Sequence, residues 1–231
     1  NKGMKKLLLL GIVCLITGSF AQAPEIAILQ LRAPERFKTS FKTSKGEFIV
    51  ETYRKWSPMG ADRFYQLIKT GFFNNALFFR VELNYVVQFG VSASYSANRF
   101  WDARKMPDEP AVTQNKKGII SFARGGRNNR ATQLFINMVD NPKLDTLVRN
   151  GVKGYTPVAR VLKGMEVITM LNGRYGKKPA TVQDSLYKYG NPSIKFNGRD
   201  ITIISGLKYN HFIPFFYQCG NCGINGLRSA G

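Results

Sequence analysis

FFRVELNYVVQFG, residues 78–90, decides how the rest of the chain is read. Eight of its thirteen residues are strongly apolar or aromatic, yet Arg80 sits among the first of them. A charge in such a run is either an edge residue that snorkels to water or a side chain held in a pocket. Arg80 and Gln88 are an even number of residues apart, which puts them on one face with Val86 if a single strand runs through. Asn84 between them would bend the chain and weaken that inference. A third polar residue, Gln133, lies two before Phe135 in the apolar run QLFINM and shares its face on a strand. Arginine and glutamines beside aromatics can grip an apolar group and hydrogen-bond the carbonyls next to it. Three edge residues fit the same spacing.

Around this stretch the pattern is mostly β. RFKTSFKTS and EFIVETYR flank Lys45–Gly46 and predict a hairpin, since Gly46 can take positive φ at the turn. SPMGADRFYQLIKTG, 57–71, predicts a helix: Ser57-Pro58 is a start signal, Ala61, Phe64, Leu67 and Ile68 fall at helical spacing, and Gly71 ends it. Short β-like runs follow (LFFRV, NYVVQFG, GIISFA, QLFINM, YTPVARVL), then a second helix over 164–172 and a last strand ending at 209. Many short strands, two helices and no βαβ rhythm predict a mainly β fold with a closed or nearly closed antiparallel sheet. Residues 91–117 and 173–199 carry no clear periodicity and read as long excursions of the kind that are functional or mobile.

The ends read differently from the middle. Lys2, Lys5 and Lys6 precede LLLLGIVCLITG and the small residues Ser19 and Ala21, the layout of a secretory signal peptide over 1–21. Its apolar run is shorter than the roughly 20 residues a membrane-spanning helix needs. Cleavage after Ala21 would leave an exported product, periplasmic or extracellular, without a membrane span. Residues 22–35 read as an extended linker, 36–209 as the domain, and 210–231 as a disordered tail. Loss of the leader's lysines leaves 31 basic residues against 14 acidic ones, or +17. That charge is spread along the chain, so a solvated basic surface is favoured over nucleic acid or acidic polymers as partner. RGGRNNR, 124–130, reads as a solvated turn between strands.

Composition excludes several chemistries. The one histidine, His211, lies in the tail, so the domain holds no Ser-His-Asp or Cys-His centre and no histidine metal site. Without the leader's Cys14 only Cys219 and Cys222 remain, half of a structural zinc site and no disulfide framework. No phosphate loop is present, and carboxylates are too scattered for a glycosidase pair. No metal and no cofactor are expected.

FFRVELNYVVQFG resembles the signature of the cyclophilin-type peptidyl-prolyl isomerases, in which an arginine is followed five residues on by an aromatic and eight on by glutamine: here Arg80, Tyr85 and Gln88. SFARGGRNNRATQLFI, 121–136, fits a second signature without a gap and supplies Ala123, Arg124, Gln133 and Phe135. Leu144 in NPKLD, Tyr155 in GYTPVARVLKGMEVI and the GADRFYQLIKTGFF helix fit as well, so the resemblance spans about 36–209. It implies a closed eight-stranded antiparallel barrel capped by two α-helices. It also implies an enzyme that rotates Xaa–Pro bonds, with Arg80 catalytic, Val86, Phe135 and Leu144 lining the proline pocket, and Gln88 and the backbone at Arg124 holding the peptide. Tyr85, Ala123, Gln133 and Tyr155 complete the substrate-binding set.

The chain departs from that pattern at Tyr85, usually Phe, and at Glu82-Leu83-Asn84, which replaces the common turn. Arg124 stands where asparagine is common, and Lys143 where a tryptophan accompanies cyclosporin binding, which implies weak sensitivity to that inhibitor. The expectation is a monomeric exported isomerase acting on proline-containing unfolded segments of other exported proteins. A peptide-binding chaperone without catalysis on the same barrel, and a basic protein holding acidic polymers by charge, are the alternatives.

Overall fold

A computed structural model describes residues 26–178, 183–189 and 204–210. The expected signal peptide, the His211 and Cys219–Cys222 region and most of the expected tail lie outside those residues. The strands β1 (Arg36–Thr43) and β2 (Gly46–Tyr53) form the expected hairpin, with Gly46 at φ 130°. Then come α1 (Pro58–Lys69), β3 (Arg80–Val81), β4 (Val86–Phe89) and α2 (Tyr95–Asp102). The middle of the chain gives β5 (Ile119–Phe122), β6 (Leu134–Asn137), the single-turn α3 (Lys143–Thr146), β7 (Val148–Arg149) and β8 (Val152–Lys153). Finally there are β9 (Pro157–Lys163), α4 (Met165–Thr169), α5 (Gln183–Tyr189) and β10 (Ile204–Asn210).

Eight strands make one sheet in the order β10-β1-β2-β9-β5-β6-β4-β3, every pair antiparallel, and β7–β8 is a separate hairpin. The closed barrel expected from the resemblance differs from this: among the described residues no ladder joins β3 to β10. The edges do meet just before β3, where Asn75 N donates to Ile204 O at 2.8 Å and Ile204 N to Ala76 O at 2.9 Å. At two residues, β3 is too short to carry a long ladder.

Strand periodicity sorts the sheet into two faces. Val87, Phe89, Leu134, Ile136, Ile120 and Phe122 point inward and are fully buried. They meet a phenylalanine-rich core in which Phe41 stacks on Phe48 at 4.9 Å and touches Phe89 at 6.0 Å. The buried stripe of α1, Ala61, Phe64, Leu67 and Ile68, closes over it as its spacing predicts. Ser57 does not cap α1 through its own side chain. Glu109 does so instead, accepting from Met59 N at 2.8 Å, Gly60 N at 3.1 Å and the Ser57 hydroxyl. Part of the expected linker also belongs to the domain: Ala33 is buried, with its N–H on Asp62 Oδ1 at 2.8 Å, and Ile26–Gln30 forms a 3-10 helix rather than extended chain.

The two expected excursions contain helices. Ser94 caps α2, and Asn98 is buried by bonding Ser92 N and O at 2.8 and 2.9 Å. In the second excursion α5 packs against α2. The RGGRNNR stretch corrects another expectation. Its tip, Arg127 to Asn129, is exposed, but Arg124 and Arg130 are buried. Arg130 pairs with Glu109 at 2.9 Å, the two side chains 1% and 7% exposed, which makes this an internal ion pair rather than a solvated one.

Candidate active site

The site lies on the outer face of the sheet, on the other side of the strands that build the core. Arg80 on β3 is the cross-strand partner of Gln88 on β4, and Gln88 is the partner of Phe135 on β6. Paired residues project to the same face, so these three form a row across three strands. The even spacing of Arg80 and Gln88 therefore reflects a hairpin folded on itself, not one straight strand. Its turn is set by Glu82-Leu83-Asn84-Tyr85, where Glu82 N donates to Val86 O at 2.9 Å and Tyr85 N to Glu82 O at 2.8 Å. The unusual turn brings Tyr85 back over Arg80, with the guanidinium carbon 5.4 Å from the ring centre.

Apolar groups gather beside this row. Val86, Phe135, Leu144 and Tyr155 are buried together, and Tyr85 and Ala123 pack against them. Phe135 and Tyr155 meet edge to face at 5.4 Å. Leu144 points inward from α3, and Lys143 next to it stays exposed. The three residues expected to line the proline pocket, Val86, Phe135 and Leu144, thus share one small cluster with Tyr85, Ala123 and Tyr155 of the expected substrate-binding set, distinct from the main core.

Behind the cluster lies a buried amide network that local sequence patterns do not reveal. Asn115 donates to Asp145 Oδ1 at 2.8 Å and to Tyr155 O at 3.1 Å. Ser121 and Asn137 donate to Asn115 Oδ1 at 2.7 and 3.2 Å. Asn141 donates to Asn137 Oδ1 at 2.8 Å and to Tyr85 O at 3.0 Å. Three walls of the pocket, at Tyr85, Leu144–Asp145 and Tyr155, are tied to one another in this way. The signal available in sequence was Asn137 closing an apolar strand.

Arg124 contributes its side chain to structure. Its guanidinium donates to the carbonyls of Arg149 at 3.3 Å, Val152 at 2.8 Å and Gly154, and lies 4.9 Å from the Tyr155 ring centre. It pins the β7–β8 hairpin and backs the pocket. Gly90, just after β4, has φ 106°, and a Cβ there would lie 2.3 Å from Thr132 O and 2.7 Å from Gln133 Cα. Glycine at this position lets the end of β4 pass close to the segment before β6 that presents Gln133.

The polar row is directional. Arg80 Nε donates to Glu82 Oε1 at 2.5 Å, and Arg80 Nη1 reaches Gln88 Oε1 at 3.5 Å. Gln88 Nε2 donates to Gln133 Oε1 at 2.7 Å, and Gln133 Nε2 to Tyr187 Oη at 2.9 Å. Glu82 and Tyr187 were not expected at the site. Burial pushes the Tyr85 and Tyr187 hydroxyls above the ordinary tyrosine value, so both stay neutral. Among the described residues there is no histidine, no cysteine and no cluster of metal ligands. Such a site can bind, orient and donate hydrogen bonds from a fixed cation.

Residues 38–189 match the sequence profile of the family described as cyclophilin type peptidyl-prolyl cis-trans isomerase/CLD. The chain belongs to that family. The peptidyl-prolyl cis-trans isomerase CYP18-2 of Arabidopsis thaliana is 32% identical over 137 residues, covering 58% of this chain and 79% of that protein. A Helicobacter pylori peptidyl-prolyl cis-trans isomerase is 33% identical over 125 residues, covering 52% and 76%. Among solved structures, the Cryptosporidium parvum cyclophilin type isomerase aligns with TM-score 0.57 at 18% identity, over 78% of this chain and 99% of that one. The same Cryptosporidium protein in the presence of the dipeptide Ala-Pro aligns with TM-score 0.54. Cyclophilin enzymes are isomerases of Xaa–Pro bonds, and this chain shares their family and their fold. No helix among the described residues is long and apolar enough to cross a membrane.

Proposed function

We propose that the outer-face groove isomerises Xaa–Pro bonds with the proline ring against Phe135, Val86, Leu144 and Tyr155 and with Arg80 aimed at the prolyl carbonyl and nitrogen. The observation that carries this reading is the row Arg80–Gln88–Phe135 beside a separate apolar cluster. The Cryptosporidium relative studied with Ala-Pro supports a proline-containing peptide as ligand.

Amide resonance sets a barrier of about 18–20 kcal/mol, and the rotation breaks no covalent bond. The site must therefore prefer the twisted amide to either planar form. As the bond twists, resonance is lost, the nitrogen becomes pyramidal and basic, and a donor at that point gains strength. Arg80 is that donor. Glu82 holds its Nε, which leaves the Nη groups directed toward the groove, while Gln88 and Gln133 meet the peptide's carbonyls and N–H groups. A 10⁵-fold acceleration needs about 7 kcal/mol. One charge-assisted hydrogen bond supplies about 1.5–3 kcal/mol. The rest comes from the fit of the pocket to the twisted peptide and from its partly dry surroundings.

The wider reading is an exported, monomeric enzyme that helps proline-containing exported chains to fold, supported by the leader-like residues 1–21. Closure of the sheet between β10 and the segment before β3 belongs to the same reading, supported by the two backbone bonds at Ile204. A prolyl isomerisation assay on a short Xaa–Pro peptide tests the site. Wild type is expected to accelerate exchange, with kcat/KM reduced about tenfold or more in Phe135→Ala. A wild type without activity would sink the catalytic reading, and peptide binding that persists would then mark a chaperone.

A further inference from the structure

Tyr187 lies in the second excursion, far along the chain from either signature, yet its hydroxyl oxygen is 2.9 Å from Gln133 Nε2. The direction of that bond follows from the other end of the row. A guanidinium has donors only. Gln88 therefore turns its Oε1 toward Arg80, which sends its NH₂ to Gln133 Oε1 and leaves the NH₂ of Gln133 facing away from the strands. An acceptor is needed there, and the Tyr187 oxygen supplies one. A flip of either carboxamide would set donor against donor.

Its seat is built rather than incidental. The Tyr187 ring packs on a small buried cluster of Leu77, Phe79 and Val91, separate from the main core. The helix that carries it rests on α2. Both helices line a polar cavity of about 710 Å³ that opens onto Arg80, Gln88 and Gln133, so α5 forms part of the wall beside the reacting groups.

We propose that Tyr187 is a positioning residue of the isomerase site: α5 supplies an acceptor at the end of the row that holds the Gln133 and Gln88 carboxamides in the orientation Arg80 sets, as they are presented to the peptide. This inference rests on the reading of those glutamines as peptide-holding groups. Arg80 keeps its bond to Glu82 whatever happens at Tyr187, so the loss falls on peptide binding rather than on the rotation step.

The test is a steady-state cycle on a short Ala-Pro peptide, with kcat and KM measured for wild type, Tyr187→Phe, Gln133→Ala and the double variant, and thermal unfolding followed for each. Tyr187→Phe is expected to raise KM about three- to tenfold with kcat and Tm retained, from loss of one hydrogen bond. Gln133→Ala is expected to impair binding at least as much, and the double variant to match Gln133→Ala alone. Wild-type kinetics for Tyr187→Phe with an impaired Gln133→Ala would overturn the positioning role and leave the site reading intact. Additive losses in the double variant, or a fall in Tm that tracks both kinetic constants, would make the contact merely structural and overturn it as well. Wild-type kinetics for Gln133→Ala would overturn both the inference and the reading beneath it.

Discussion

The two faces of β4 and β6 share the same eight positions between them and do different work. The inward face, Val87, Phe89, Leu134 and Ile136, is fully buried as part of the main apolar core. The outward face, Val86, Gln88, Phe135 and Asn137, alternates apolar and polar residues, and its partners are an arginine, a second glutamine and a buried amide network. A strand residue shifted by one position changes sides. Stability and catalysis can therefore be altered separately along the same few residues.

Substitution on the inward face should break that comparison in one direction. Phe89→Ala is expected to lower unfolding free energy by about 3–5 kcal/mol. Activity per folded molecule should stay near wild type, which urea unfolding and an isomerisation assay on the same sample will show. On the outward face Arg80→Ala should do the reverse. Loss of a charge-assisted bond predicts a fall in kcat of about 10- to 150-fold. Its Tm should move little, because the Arg80 side chain is 27% exposed and its ion pair is with Glu82, two residues away.

A third case sharpens the contrast within the outward face. On β2, Glu51 is saturated by Arg36 at 2.7 Å, Arg160 at 3.0 Å and the Tyr53 hydroxyl. Burial alone would raise its pKa, but these partners outweigh it and hold the carboxyl at about 2 against an ordinary 4.5. A depressed carboxyl stabilises the fold above its unfolded value and loses that contribution as pH falls. The urea midpoint should therefore drop between pH 4.5 and 2, and Glu51→Gln should flatten that part of the profile. The active-site side behaves otherwise: Tyr85 and Tyr187 are pushed up and no histidine lies among the described residues, so kcat/KM should be level from about pH 6 to 9. The smallest effect is expected at Glu82. Glu82→Gln keeps a hydrogen-bond acceptor for Arg80 Nε and should lower kcat/KM only about two- to fivefold in the same assay.

Much of this arrangement was legible in the chain because it rests on local rules. The hairpin at Gly46 and the stripe of α1 follow from neighbours a few residues apart. Arg80, Tyr85 and Gln88 were marked as a set by the resemblance to the family signature, their spacing alone fitting edge residues as well. What escaped depends on distant partners. Arg124 reads as a solvated loop residue until carbonyls 25, 28 and 30 residues downstream are folded against it. Arg130 reads the same way until Glu109 reaches it from a loop. Of the helices, α2 escaped because only Ala97 and Trp101 mark its apolar side, while its third buried residue, Asn98, is polar and satisfied by Ser92. Tyr187 carried no signal at all, since its partner is 54 residues away. Short elements have too few turns for periodicity to show, and buried polar groups look like surface until their partners are known.

Two-dimensional exchange spectroscopy on a short Ala-Pro peptide, with Arg80→Ala beside wild type, separates gripping the peptide from twisting it. The account predicts that Arg80→Ala binds the peptide within about threefold of wild type while bound-state cis–trans exchange slows by about tenfold or more. Binding and exchange falling together by the same factor would contradict it, and would make Arg80 a holding group rather than the donor that favours the twisted bond.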